Sequence, residues 1–233
     1  VENNHTEDYR NVMITNTIFA ENTAENGEGA GAEIKSTNGA YTDAYFDRVE
    51  FHQNSGYAYS GFRFLGNVWG NVFNSAIVGN QAQAYGAGGG TMAGAYLNMD
   101  HCLIAGNLAN LNGGTANSGG LSIWSGSSAN FYYCTFAGNS AEYGSALTVG
   151  GGSSAYMDGS IVWANPGDNA LAAVQWDENG SHLDVYNSVV MGGENGMYAD
   201  ELSYINHDGV LDMDPFFCDP ENGNFSIDVL SIA

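Results

Sequence analysis

The phrase LNMDHCLIAGN at residues 97–107 returns as ANFYYCTFAGN at 129–139 and as AYMDGSIVWAN at 155–165. Each copy closes on an asparagine, and that position recurs at Asn22, Asn54, Asn80, Asn107, Asn139 and Asn165, 26 to 32 residues apart. A degenerate copy ends on Gly193. Three residues earlier stands a large apolar side chain: Phe19, Phe51, Ile77, Ile104, Phe136, Val162 and Val190. Eight earlier comes a second apolar column, Ile14, Phe46, Val72, Met99, Phe131, Met157 and Val185. Five earlier is a mostly small one: Thr17, Val49, Ser75, Cys102, Cys134, Ser160 and Ser188. Fixed columns at this period mean that each repeat is a turn of chain laid on the turn below it.

Within a repeat, inward apolar positions alternate with polar or small outward ones, the period of a β-strand. A second inward pair is expected after each asparagine: Ala32 and Ile34, Phe62 and Phe64, Gly90 and Met92, Leu121 and Ile123, Leu147 and Val149, Val174 and Trp176. Two or three short strands and three bends consume such a repeat, so the chain reads as an all-β parallel β-helix. At about 4.8 Å per stacked strand, seven coils over residues 12–193 span roughly 35 Å. Residues 1–11 read as an N-terminal linker or cap, and 194–233 as an irregular C-terminal cap. The asparagines are expected to hydrogen-bond from turn to turn as an internal ladder; exposed turn formers are the alternative.

The chain has 233 residues and a net charge of −22, set by a shortage of Lys and Arg. Arg10, Lys35, Arg48 and Arg63 are its basic residues. Nucleic acid is excluded as a partner, because neutralising phosphates takes clustered cations. Anionic membranes and polysaccharides are repelled. No apolar run reaches the roughly 20 residues of a membrane span. A chain that starts at Val1 without a signal peptide reads as processed or partial. Asn4, Asn179 and Asn224 fit the glycosylation acceptor triplet.

FAEN (19–22), FHQN (51–54) and FAGN (136–139) resemble the FxxN phrase of chlamydial polymorphic outer-membrane proteins and related bacterial β-helix repeats. The companion GGA-aliphatic phrase has counterparts in GAEI (31–34), GGTM (89–92) and GGLSI (119–123). The closing DMDPFFCDPENGNFSID (212–228) is similar to the C-terminal DPxFxDxxNGxF element of secreted right-handed parallel β-helix proteins. The resemblance implies a single-stranded right-handed parallel β-helix and an extracellular or cell-surface location. It leaves activity open, because one fold hosts many functions.

Proteins of that kind include polysaccharide lyases and glycoside hydrolases. A lyase needs a basic residue to take a proton, but Arg63 is expected to pair with Glu33 one turn below. A hydrolase needs carboxylates about 5–9.5 Å apart. Seven residues before each asparagine, acids and aromatics alternate: Asp47, Phe73, Asp100, Tyr132, Asp158 and Tyr186. Such a row could bind a glycan, with Trp124, Tyr132 and Trp163 as platforms, or could simply keep stacked carboxylates apart. Asp208, Asp212, Asp214 and Asp219 form a candidate calcium cluster, with turn and strand-end roles as the alternative. Cys102 and Cys134 read as a buried small stack or a disulfide, with Cys218 left over. Thr91 and Thr148 make too sparse an array for ice binding. The resulting reading is a structural surface protein without catalytic activity, an adhesin stalk or filament subunit that could assemble head to tail with itself. A module for cell-surface glycans, or a carbohydrate-active enzyme, is the alternative.

Overall fold

The computed structural model describes residues 1–3, 9–110, 116–167, 169–174, 178–222 and 224–227. The protein is all-β, with three parallel sheets of thirteen, eight and four strands and one antiparallel pair. The chain passes from the thirteen-stranded to the eight-stranded sheet and back in every repeat, and in the first four repeats it also joins the four-stranded sheet on the way. Tyr96–Asp100 and Leu103–Ala105 lie in the thirteen-stranded sheet, Leu108–Ala109 in the four-stranded sheet and Leu121–Ile123 in the eight-stranded sheet. Ser128–Tyr132 then pairs with Tyr96–Asp100, and the cycle begins again.

Registry between repeats is strict. Met99 stands between Val72 and Phe131, and Ile104 between Ile77 and Phe136. These columns form one continuous apolar core in which Phe46, Phe51, Phe62, Phe64, Phe131 and Phe136 are fully buried. Burial of each such side chain contributes about 1.5–3 kcal/mol.

Two bends per repeat are fixed by left-handed backbone. Six residues before each stacked asparagine position, φ is positive at Asn16, Arg48, Asn74, His101, Tyr133, Gly159 and Asn187. Immediately before the asparagine it is positive at Glu21, Gln53, Gly79, Gly106, Gly138 and Ala164. Non-glycine residues enter that region at a steric cost, so the corners are imposed by the packing on either side of them.

The second inward pair departs from expectation in two repeats. Gly89 and Thr91, not Gly90 and Met92, align with Phe62 and Phe64. The Phe62 ring occupies the space where a Gly89 side chain would point, so the inward column is hidden in a residue without one. Thr91 is therefore buried in the core and is not an outward threonine. Leu171 and Ala173 align with Leu147 and Val149, which leaves Val174 on the outer row; Trp176 lies outside the described residues.

Parallel pairing also runs past residue 193. Met197–Ala199 extends the eight-stranded sheet, Tyr204–Asp208 the thirteen-stranded sheet, and Leu211 bridges Val189. His207 takes the place of Val185 in the inward register, and this polar substitution ends the sequence column before the pairing ends. At the other end Glu2–Asn3 pairs with Lys35–Ser36, and Tyr9–Ala20 pairs with Tyr41–His52. The antiparallel pair, Phe217–Asp219 with Asn224–Ile227, lies on the outside, with Phe225 close to Gly138.

Candidate functional site

The asparagines form a stack. Asn80 donates its backbone N–H and its Nδ2 to Asn107 Oδ1 at 3.0 and 2.9 Å, and its second amide hydrogen reaches Phe51 O at 2.9 Å. Asn107 repeats the pattern on Asn139 Oδ1 at 3.2 and 2.8 Å and on Ile77 O at 2.9 Å. The chain of bonds runs from Asn22 through Asn54 to Asn165. Asn54, Asn80, Asn107 and Asn139 are fully buried, and the side chains satisfy backbone groups that the bends would otherwise orphan. A parallel device uses serine hydroxyls, with the Val49, Cys134 and Ser160 amides donating to Ser75, Ser160 and Ser188.

The acid and aromatic row is real as a register. Asp47, Phe73, Asp100, Tyr132, Asp158, Tyr186 and Asp208 are successive partners on the outer face of the thirteen-stranded sheet. Three of its carboxylates, Asp47, Asp100 and Asp158, are engaged. Asp47 is held by Arg48 at 2.8 Å and Asn74 at 2.9 Å, Asp100 meets His101, and Asp158 accepts from Asn187 at 2.9 Å. Arg48, Asn74, His101 and Asn187 occupy the left-handed corner column, so the corner supplies the partners of Asp47, Asp100 and Asp158. Aromatic rings on this face contact each other, as in Trp69–Tyr96 at 4.6 Å and Tyr132–Tyr156 at 5.8 Å. At the edge of this face desolvation, then the Asp43 charge, pushes the Tyr41 hydroxyl up to about 12.

Trp124 and Trp163 do not join this row. Trp124 is on the eight-stranded sheet beside Gly150. Trp163 lines a small cleft with Asp214, Phe216 and Cys218. The four candidate calcium ligands are also apart. Asp208 continues the outer row, Asp212 accepts from Gly192 N, Asp214 from Phe216 N and Asp219 from Asn222 Nδ2. Among the described residues no three His, Cys, Asp or Glu side chains come together to hold a metal.

Cys102 and Cys134 are free thiols on neighbouring buried positions, and burial pushes the Cys134 thiol up. Cys218 is free and exposed. Arg63 pairs with Glu33 at 3.0 Å and also with Glu28, and Lys35 pairs with Glu2 at 3.0 Å. Asn179 and Asn224 are exposed, and Asn4 lies outside the described residues. No helix among the described residues is long and apolar enough to cross a membrane.

The class defined by these features is an all-β protein of stacked parallel repeats with an internal asparagine column. No protein-family model, curated protein or solved structure matches the chain.

Proposed function

We propose that the chain is a single-stranded right-handed parallel β-helix that serves as an extracellular structural element, an adhesin stalk or filament subunit. The regular alternation of the chain between two parallel sheets supports a helical course, and parallel crossovers are overwhelmingly right-handed. Residues 12–193 form its regular coils in this reading, and parallel pairing continues through Tyr204–Asp208.

The observation that carries the reading is the open edge of Tyr9–Ala20. This strand of 12 residues pairs with one neighbour among the described residues. Met13 and Ile18 are 74 % and 63 % exposed, while Val12, Ile14 and Phe19 present half-buried apolar groups. The far edge, Tyr204–Asp208, likewise has a single partner among those residues. Long open edges pair with other chains unless protected, and two different parallel edges join heterologously, head to tail.

Electron microscopy of the full-length protein, purified without denaturation, tests this. Regular filaments with a subunit rise of about 35–40 Å, set by the stacking distance, are expected for the filament subunit. Dispersed short rods identify a stalk, and compact particles without a long axis overturn both.

A further inference from the structure

We propose that a groove on the outer face of the eight-stranded sheet binds a neutral, linear oligosaccharide. The groove has a volume of about 620 Å³, within the range of ligand pockets, about 300–1,000 Å³. It crosses five successive strands, from that of Met92 to that of Tyr198. At about 4.8 Å per strand this is a trough roughly 19 Å long, which suits an extended chain of rings better than one compact molecule.

The walls and floor differ in chemistry. Trp124, Tyr85, Tyr143 and Tyr198 supply aromatic surface along the trough, and Ser122 and Thr148 form its floor. Gly150 keeps the Trp124 ring against the sheet, since a Cβ at that position would lie 1.8 Å from it. Aromatic faces pack against the C–H faces of sugar rings, while their polar tips bond the ring hydroxyls.

Thr148 is 1 % exposed, and its Oγ1 has no hydrogen-bond partner among the described residues. Buried hydroxyls in native proteins are normally satisfied. At this depth Thr148 lies beneath the trough rather than open to it, and the contacts to a sugar come from the aromatic side chains above.

Charge decides between ligand classes. None of the described residues lining the groove is charged. Arg63, the nearest cation along the same register row, is neutralised by Glu28 and Glu33. In a chain of net charge −22, a uronic-acid polymer or other polyanion meets repulsion with nothing to offset it. The inference does not rest on end-to-end assembly: the groove opens on the outer face of the sheet, and only Tyr198 stands on its last strand.

Isothermal titration of the full chain with neutral hexasaccharides of glucose, xylose and mannose, and with a galacturonate hexasaccharide, tests it. At least one neutral hexasaccharide binds saturably, and the galacturonate does not. Trp124→Ala weakens binding by at least about tenfold, while Trp124→Phe keeps it within a few-fold and shows that the fold survives. Tyr132→Ala, on the other sheet, leaves it unchanged. Absence of saturable binding by every neutral hexasaccharide, tighter binding of the galacturonate, or wild-type affinity in Trp124→Ala would overturn the proposal.

Discussion

The asparagine stack and the outer acid and aromatic row have the same repeat, the same strict register and opposite surroundings. Asn107 is completely buried, and each of its amide hydrogens has one partner inside the protein. Asp158 sits on the outer face and is tied by a single amide from the adjacent corner. Water can replace the second arrangement but not the first. A column becomes structural when its members are each other's only available partners. Where solvent competes, regular spacing carries little energy.

The largest effect is expected from Asn107→Leu, which orphans the buried N–H and Nδ2 of Asn80. Urea denaturation should show a loss of about 3–5 kcal/mol, against less than about 0.5 kcal/mol for Asn98→Leu on the half-buried outer side. Equal midpoints would remove the distinction between stack and surface.

The corner before the asparagine sharpens the comparison at intermediate scale. Gly106 has φ 61, and nothing lies within 4 Å of the place a Cβ would take, so Gly106→Ala isolates backbone strain. A loss of about 0.5–1 kcal/mol is expected. Ala164→Gly, at the same corner with φ 52, should gain a similar amount, and two changes of the same sign would disprove corner strain.

The smallest effect belongs to Asp158→Asn. The isosteric amide still accepts from Asn187, so stability should move by less than about 0.5 kcal/mol in the same urea titration. A loss several times larger would place the row with the buried stack.

The buried columns were legible in the sequence because their members are large or chemically distinctive: an asparagine beside Phe, Ile or Val admits one phase. The row from Asp47 to Tyr186 was legible for the same reason. Inward positions filled by Gly89 and Ala173 were not, because small residues carry no contrast between faces. Parallel pairing of Tyr204–Asp208 was concealed by His207 in an apolar register. The corner column six residues before the asparagine stayed hidden because Arg48 and Tyr133 are not residues that advertise positive φ. Trp124 read as a platform on the acidic face, whereas its neighbours Tyr85 and Tyr143 come from segments whose phase only the folded chain reveals.

The asparagine stack also has a direction. Every amide donates to the Oδ1 of the following repeat, from Asn22 onward to Asn165. Damage therefore travels upstream: deleting one asparagine leaves donors unpaired in the preceding repeat, while the following one loses only an incoming donor. Orphaned donors cost more than an under-used carbonyl. The stack works like a ratchet laid along the chain, in which each repeat is locked by the one synthesised after it.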